Sequence, residues 1–326
     1  MNKQEKARAY VITNPGCSLT EIQEAIGCSE RTARRGRQSA GVFGFARRPR
    51  ILLLDIESSF LELGAWTIWK PFVDTHNIIK EWSMLSWSAK WLFEADIMSQ
   101  VVSPQEAIYR QDSSIIKKLW QLMEEADITI AHNNIKFDDR KIKARFMANG
   151  LGPTMPYRII DTLKVSQREF AFSSNKLDFL NKMFQISQKK KTDFDLWKRC
   201  VARNEISSST DGNIVSVQYD TSDNRKALGY MEEYNRSDIR ALEELYLVLR
   251  PWIKSHPPMG LYVDSDGSVC ATCGADEEHF KWCGTYFTPM GRYKSFRCNK
   301  CTGVGRSRYS DISPEERKKL VISTAR

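Results

Sequence analysis

Asp55 and Glu57 stand at the end of an apolar run, Ile51 to Leu54, in the stretch RILLLDIESS. The run reads as a strand buried on both faces, where a charge without a use is costly. Side chains at i and i+2 leave a strand on one side, so the two carboxylates emerge together and repel unless cations lie between them. A divalent-metal site is the economical explanation. Ordinary strands also end in charged residues as the chain leaves a core, so the pair alone does not separate the two readings.

More acids follow in suitable settings. ADITIAHNNIKFDDRKIKARF predicts a short strand over 128–131, a polar turn through His132, Asn133 and Asn134, and then a helix whose packed side carries Phe137, Ile142, Ala144 and Phe146. Asp138 falls near the start of that helix. MEEYNRSDIRALEELYLVLRPW predicts a long amphipathic helix stopped by Pro251, with Tyr234 and Asp238 four apart on one face.

D-x-E on a strand, N-x3-D after a second strand and Y-x3-D on a late helix resemble, in order and setting, the DEDD family of 3′ to 5′ exonucleases. The match runs from about residue 50 to residue 251. The histidine branch of that family has a His five residues before the last Asp, where this chain has Glu233. The tyrosine branch has a Tyr four before, and Tyr234 is there. Further stretches (LSWSAKWL, IIDTLK, SNKLDFL, LWKRC) are similar to the narrower YprB-like group, often encoded by bacteriophages.

The resemblance implies an α/β chain with an RNase H-like core, a mixed sheet with flanking helices. It also implies two Mg²⁺ or Mn²⁺ ions, which oxygen-only ligands suit. Asp55 would bridge the ions, Glu57 and Asp238 would complete the nucleophile side, Asp138 would serve the leaving-group side, and Tyr234 would orient the attacking water. Nearby polar residues have plainer readings. Asp161 caps the following helix or faces the site's edge, His132 stabilises its turn, Asp139 yields to Asp138 on spacing, and Asn134 is a candidate substrate contact.

Appendages flank this middle. In CSLTEIQEAIGCSERTARRGRQSAG, Ser18 and Glu21 have capping-box spacing, Leu19, Ile22 and Ile26 give one apolar face, and Ser29 can cap a second helix. That helix bears Arg31, Arg34, Arg35 and Arg37, and the pair looks like a helix-turn-helix meeting DNA, or else a small helical appendage used for protein contacts. Near the other end, Cys270-x2-Cys273 precedes Cys298-x2-Cys301 by 24 residues, giving four thiolates for one structural Zn²⁺ in a zinc ribbon. Cys283 and His279 lie between them as substitute ligands. Arg292, Lys294 and Arg297 make the ribbon's hairpin basic, suited to nucleic acid or else to a protein. Lys189, Lys190 and Lys191 form a run that could track a single strand or only be solvated. The tract 204–226 reads as a polar insertion, either a surface loop or a flap over the substrate. EWSMLSWSAKWLF reads as core strands.

Charge follows the same division. Residues 1–50 hold ten Lys/Arg against four Asp/Glu, residues 51–259 hold 28 of each, and residues 260–326 hold 11 against 8. Basic ends around a neutral, acid-bearing middle suit a protein that handles nucleic acid. No run is long and apolar enough for a membrane span or a signal peptide, so a cytoplasmic protein of a bacterial or phage-infected cell is expected. The expected domains are a helix-turn-helix over 1–45, an exonuclease over 46–256, and a zinc ribbon with a basic tail over 257–326. The expected function is a metal-dependent 3′ to 5′ exonuclease on DNA, favouring single strands or 3′ ends, with replication or recombination proteins as partners. Its rivals are a ribonuclease of the same fold, a structure-specific endonuclease and a non-catalytic DNA-binding regulator.

Overall fold

The computed structural model describes residues 2–14, 19–39, 49–67, 69, 74–187, 192–210, 213–263, 265 and 267–321. It separates into one unit of residues 1–49 with 257–326 and a second of residues 50–256. The N-terminal residues form α1 (Lys3–Thr13), α2 (Leu19–Ile26) and α3 (Glu30–Ser39). Helix α1 was not foreseen; Asn2 and Glu5 close a capping box at its start. Ala7, Val11, Ile22 and Ala33 form a small apolar core among the three helices. Gly36 lets α3 approach α1 closely, since a Cβ there would stand 2.4 Å from that of Ala7. The predicted cap of α3 is present, with the Thr32 N–H donating to Ser29 Oγ at 3.3 Å. Ser18 lies outside the described residues.

The second unit opens with β1 (Ile51–Ser58), β2 (Glu62–Leu63), β3 (Ile78–Lys80), β4 (Met84–Trp91) and β5 (Met98–Val101). Next come α4 (Pro104–Tyr109), α5 (Ser113–Glu124), β6 (Ile128–Ala131), α6 (Asp138–Ala148), β7 (Arg158–Asp161), α7 (Thr162–Glu169), α8 (Leu177–Met183) and α9 (Phe194–Cys200). The unit closes with β8 (Glu205–Thr210), β9 (Asn213–Tyr219) and the long α10 (Ser222–Leu249). Five strands form one sheet in the order β5-β4-β1-β6-β7. Strands β1, β4 and β5 are antiparallel neighbours, whereas β6 and β7 run parallel to β1. This mixed sheet with flanking helices is an RNase H-like core.

β1 is central because its residues are apolar on both faces: Leu52, Leu53 and Leu54 are all buried. The Trp-rich segment is core strand as expected, and Trp87 donates its indole N–H to Ile115 O at 2.9 Å. Helix α10 lays Met231, Tyr234, Asp238, Leu242 and Leu245 inward at helical spacing. Polar contacts clamp it to the sheet. Arg236 donates to Ile97 O at 2.7 Å and to Ser99 Oγ at 2.8 Å, Ser99 Oγ donates to Glu232 at 2.6 Å, and Glu243 pairs with Lys90.

Two expectations are corrected. The polar tract 204–226 is not a loop: β8 and β9 pair as an antiparallel hairpin, and α10 starts at Ser222. On α6 the packed side is Asp138, Ile142 and Phe146, while Phe137 and Ala144 are exposed, because the helix begins at Asp138 and turns that residue inward.

The C-terminal residues form the antiparallel strands β10 (Phe280–Thr288), β11 (Gly291–Cys298) and β12 (Val304–Arg306), then α11 (Pro314–Lys318). The Phe280 and Phe296 rings stack at 3.8 Å beside the cysteines. Among the described residues no helix is long and apolar enough to cross a membrane.

The carboxylate of Asp112, 1% exposed, joins α5, β4 and α6. It accepts from Met84 N–H at 2.9 Å, from Arg145 at 2.6 and 2.9 Å, and from Asn149 at 3.0 Å. Asp112→Ala leaves the Arg145 charge without its partner and is expected to cost about 3–5 kcal/mol, measured by urea unfolding. A loss under about 1 kcal/mol would show that water replaces the carboxylate.

Candidate metal centres

β6 pairs with β1 only as far as Leu53, so the next stretch of β1, Asp55 to Glu57, lies beyond the last parallel pair. On the other edge, pairing with β4 continues through Glu57 and shifts register before Ser58. The acids thus stand on a strand held firmly from one side and open on the other. One oxygen from each of Asp55, Glu57 and Asp238 fall within 4.8 Å of one another. Asp238 arrives from α10, and the buried Asn235, on the same helix, donates its side-chain N–H to Asp55 Oδ2. Tyr234, also buried, lies one turn before Asp238 and meets Trp197 edge-on at 6.2 Å.

Asp138 approaches the same strand from the end of β6. Burial pushes its carboxyl up to about 7, opposed by the backbone N–H groups of Asp138 itself and of Ile56, the residue between the two β1 acids. It stands outside the close triad of Asp55, Glu57 and Asp238. The structure therefore brings three of the four predicted acids into one cluster, with the fourth at the neighbouring backbone.

The secondary candidates resolve into supports. Asp161 caps α7 through the N–H groups of Leu163 and Lys164, and accepts from Asn133 and Ile135 N–H at 3.1 Å. His132 is a turn stabiliser, bonding Thr162 Oγ1 at 3.0 Å and Asn175 O at 2.9 Å. Asp139 is engaged by Tyr157 and by Lys143 at 2.8 Å. Asn134 is buried and reaches back to Thr129 Oγ1 at 3.4 Å.

Sequence reasoning missed Asn235 and Lys141. Asn235 follows the motif Tyr directly, and its inward phase on α10 was the available signal. Lys141 Nζ donates to Ser58 Oγ at 2.8 Å and lies 3.9 Å over the Trp82 ring, a cation set beside the acids. Burial holds its pKa below the ordinary lysine value, against the pull of Glu81, Asp138 and Glu57. Where β1 exits, a cleft of about 460 Å³ is lined by Ser58, Ser59, Phe60, Thr192, Asp193, Phe194 and Trp197.

The second centre is built from Cys270, Cys273, Cys298 and Cys301, whose sulfurs all lie within 4.8 Å of one another. The pairs Cys270–Cys301 and Cys273–Cys298 are 3.7 Å apart. That is too long for a disulfide and close to the ~3.8 Å edge of a tetrahedron with metal–sulfur bonds of about 2.3 Å. The four could bind zinc. The crowded sulfurs hold Cys270 well below the ordinary thiol range and push Cys273 up to about 11, an imbalance that a shared cation would remove. Cys283 is exposed on β10 and is not part of the group.

Of the predicted nucleic-acid contacts, Arg31 is exposed on α3, while the side chains of Arg34, Arg35 and Arg37 and all of Lys189, Lys190 and Lys191 lie outside the described residues. Arg292 pairs with Asp311 at 2.9 Å, Lys294 is exposed, and Arg297 donates to Thr302 O at 3.0 Å.

Two outcomes are expected of the acid cluster. Asn235→Ala loosens Asp55 and should weaken Mn²⁺ binding about 10- to 100-fold, read by isothermal titration. With divalent cations removed, the raised Asp138 favours its protonated form in the fold, so wild-type stability should fall as pH rises from 3.8 to about 7. Asp138→Asn does not titrate and should gain on wild type across that window by roughly a few kcal/mol. Equal pH profiles for the two proteins would refute the shift.

A family model described as the RNase_H superfamily matches residues 93–250. No curated protein matches the chain. Among solved structures, the family B DNA polymerase from the hyperthermophilic archaeon Pyrobaculum calidifontis aligns with 67% of this chain and 28% of its own, at 13% identity and a TM-score of 0.41. The RNase H-like sheet, the family match and the acid cluster together support a nuclease of that superfamily.

Proposed function

We propose that the chain is a metal-dependent 3′ to 5′ exodeoxyribonuclease. The observation that carries this reading is the meeting of Asp55, Glu57 and Asp238 within 4.8 Å, with Tyr234 one turn along the same helix as Asp238. Three carboxylates so close repel unless they share cations, and an all-oxygen donor set suits Mg²⁺ or Mn²⁺. The 3′ polarity and the preference for DNA rest on the order of the D-x-E, N-x3-D and Y-x3-D motifs.

Asp55, Glu57, Asp138 and Asp238 would hold two such ions, which supply charge for the phosphorane-like transition state and acidify water. Asn235 keeps Asp55 turned toward Glu57 and Asp238. The Tyr234 phenol, its ring packed on Trp197, would accept or donate a hydrogen bond to the attacking water and align it with the phosphorus–oxygen bond that breaks. In the cleft beyond Ser58, the rings of Phe60, Phe194 and Trp197 would receive the terminal bases of a strand. The four-cysteine group would hold one structural Zn²⁺, with no ligand position left open for catalysis. The helices of residues 3–39 would contact DNA through Arg31 and the other arginines of α3.

Digestion of 5′-labelled single-stranded DNA, duplex DNA and RNA of matched sequence with Mg²⁺ or Mn²⁺ tests the reading. A ladder shortening from the 3′ end is expected, reduced at least about 100-fold by Asp55→Ala or Asp238→Ala and abolished by chelation. Internal products would instead mark an endonuclease, and cleavage of RNA alone a ribonuclease. For the second metal, the purified chain should carry one equivalent of zinc that Cys298→Ala does not retain, as read by elemental analysis; full zinc in that variant would remove Cys298 from the ligand set.

A further inference from the structure

We propose that one face of the β10–β11–β12 sheet is a docking surface for single-stranded DNA, with Tyr286 as the stacking ring and Lys281, Arg297 and the Tyr293-stacked Arg306 as phosphate contacts. The strand register sorts the side chains. Lys281 pairs with Arg297, Tyr286 with Tyr293 and Ser295 with Arg306, so alternation places all of them on the same side of the sheet. Phe280, Trp282, Phe296 and Cys298 fall on the other side, where Phe280, Phe296 and Cys298 pack with the cysteine cluster and Trp282 meets the two Phe rings edge-on. Gly305 confirms the sorting, since a Cβ there would run into Phe296 at 2.5 Å, which leaves its neighbours Val304 and Arg306 facing outward.

That outward face is open and of one sign. Lys281, Arg297 and Arg306 are exposed, Tyr286 is 51% exposed, and no Asp or Glu occupies a strand position on this side. The Arg306 guanidinium lies 3.9 Å over the Tyr293 ring and 5.5 Å from that of Tyr286, so cation and rings form one continuous patch. The opposite side differs. There Arg292 is matched by Asp311 at 2.9 Å and Glu316 at 3.9 Å, and it shares that side with Lys294. Of the three cations the sequence singled out on this hairpin, only Arg297 belongs to the proposed surface.

Among the described residues none of the three cations forms an ion pair with an acid, which suits a polyanion, and the exposed Tyr286 ring suits an unstacked base. A duplex keeps its bases inside and would use only the cations. The choice of DNA over RNA rests on the proposed substrate of the nuclease, whereas the face itself is argued independently of it.

The test measures affinity in a protein that cannot cut. The full chain carrying Asp55→Ala, with zinc and without Mg²⁺, is titrated against a fluorescein-labelled oligothymidine by anisotropy at several salt concentrations. Replacing Lys281, Arg297 and Arg306 together by Ala should lower the log–log salt slope by roughly 2, about 0.7 for each lost phosphate contact, and weaken binding at least about tenfold. Tyr286→Ala should cost about fivefold or more with the slope unchanged, and Lys294→Ala should change neither. Zinc content reports that the sheet is intact. Should the triple variant lose zinc, Lys281→Ala alone carries the test, with a slope change of about 0.7. Wild-type affinity and slope in these variants would overturn the proposal, as would tighter binding of oligouridine through the same residues. So would displacement of the DNA by polyglutamate with Tyr286→Ala silent, which would mark a face for an acidic protein. Because cleavage is read separately with the intact enzyme, failure here leaves the nuclease reading standing, and the reverse also holds.

Discussion

Repulsion among carboxylates is the interaction the core is built to contain. One oxygen from each of Asp55, Glu57 and Asp238 lies within 4.8 Å of the others, a separation at which two like unit charges repel by roughly 3 kcal/mol at an effective dielectric of about 20. The elements carrying these acids must therefore be rigid before any cation arrives. β1 meets this need as the middle strand of five, and α10 meets it through the contacts of Glu232, Arg236 and Glu243 with the β4–β5 side of the sheet. Asn235 adds a donor aimed at Asp55, compensating part of the charge with an amide dipole.

The route by which Asp138 reaches β1 depends on a second carboxylate. Asp161, at the end of β7, takes N–H groups from the turn after β6 and from the first turn of α7. One buried acid thus sets the path of the turn that leads to another. Its own demand for donors is satisfied by backbone groups that would otherwise lack partners. Its position in IIDTLK reads equally well as a simple helix cap, and the cap accounts for half of its bonds.

The features legible in the sequence arose from periodicity and from rigid short-range spacing. The strand of Ile51 to Leu54, the strand over 128–131, the shared face of Tyr234 and Asp238, and the two cysteine knuckles all depend on neighbours within a few residues. The rest depends on what those elements meet. Asn235 reads as an ordinary helix residue until α10 is seen against β1. Phe137 reads as core until α6 is seen to begin one residue later. The hairpin of β8 and β9 is rich in Ser, so its polarity imitates a loop, although its β-branched Ile206, Thr210, Ile214, Val215 and Val217 favour pairing. Arg292 and Arg297 look equivalent as two cations of one hairpin until β11 is seen as a regular strand that sends them to opposite faces, and until the acids after β12, Asp311 and Glu316, are seen to meet Arg292.

The β8–β9 hairpin begins and ends at one place. The Asp220 N–H bonds Asn204 O at 2.8 Å, so the chain leaves and re-enters at adjacent points, immediately before the helix that carries Tyr234 and Asp238. An excursion closed at its base can change length or composition at little entropic expense to the helix after it. The arm can therefore be lengthened or trimmed while α10 keeps its phase, so its size is mechanically uncoupled from the helix that carries Tyr234 and Asp238.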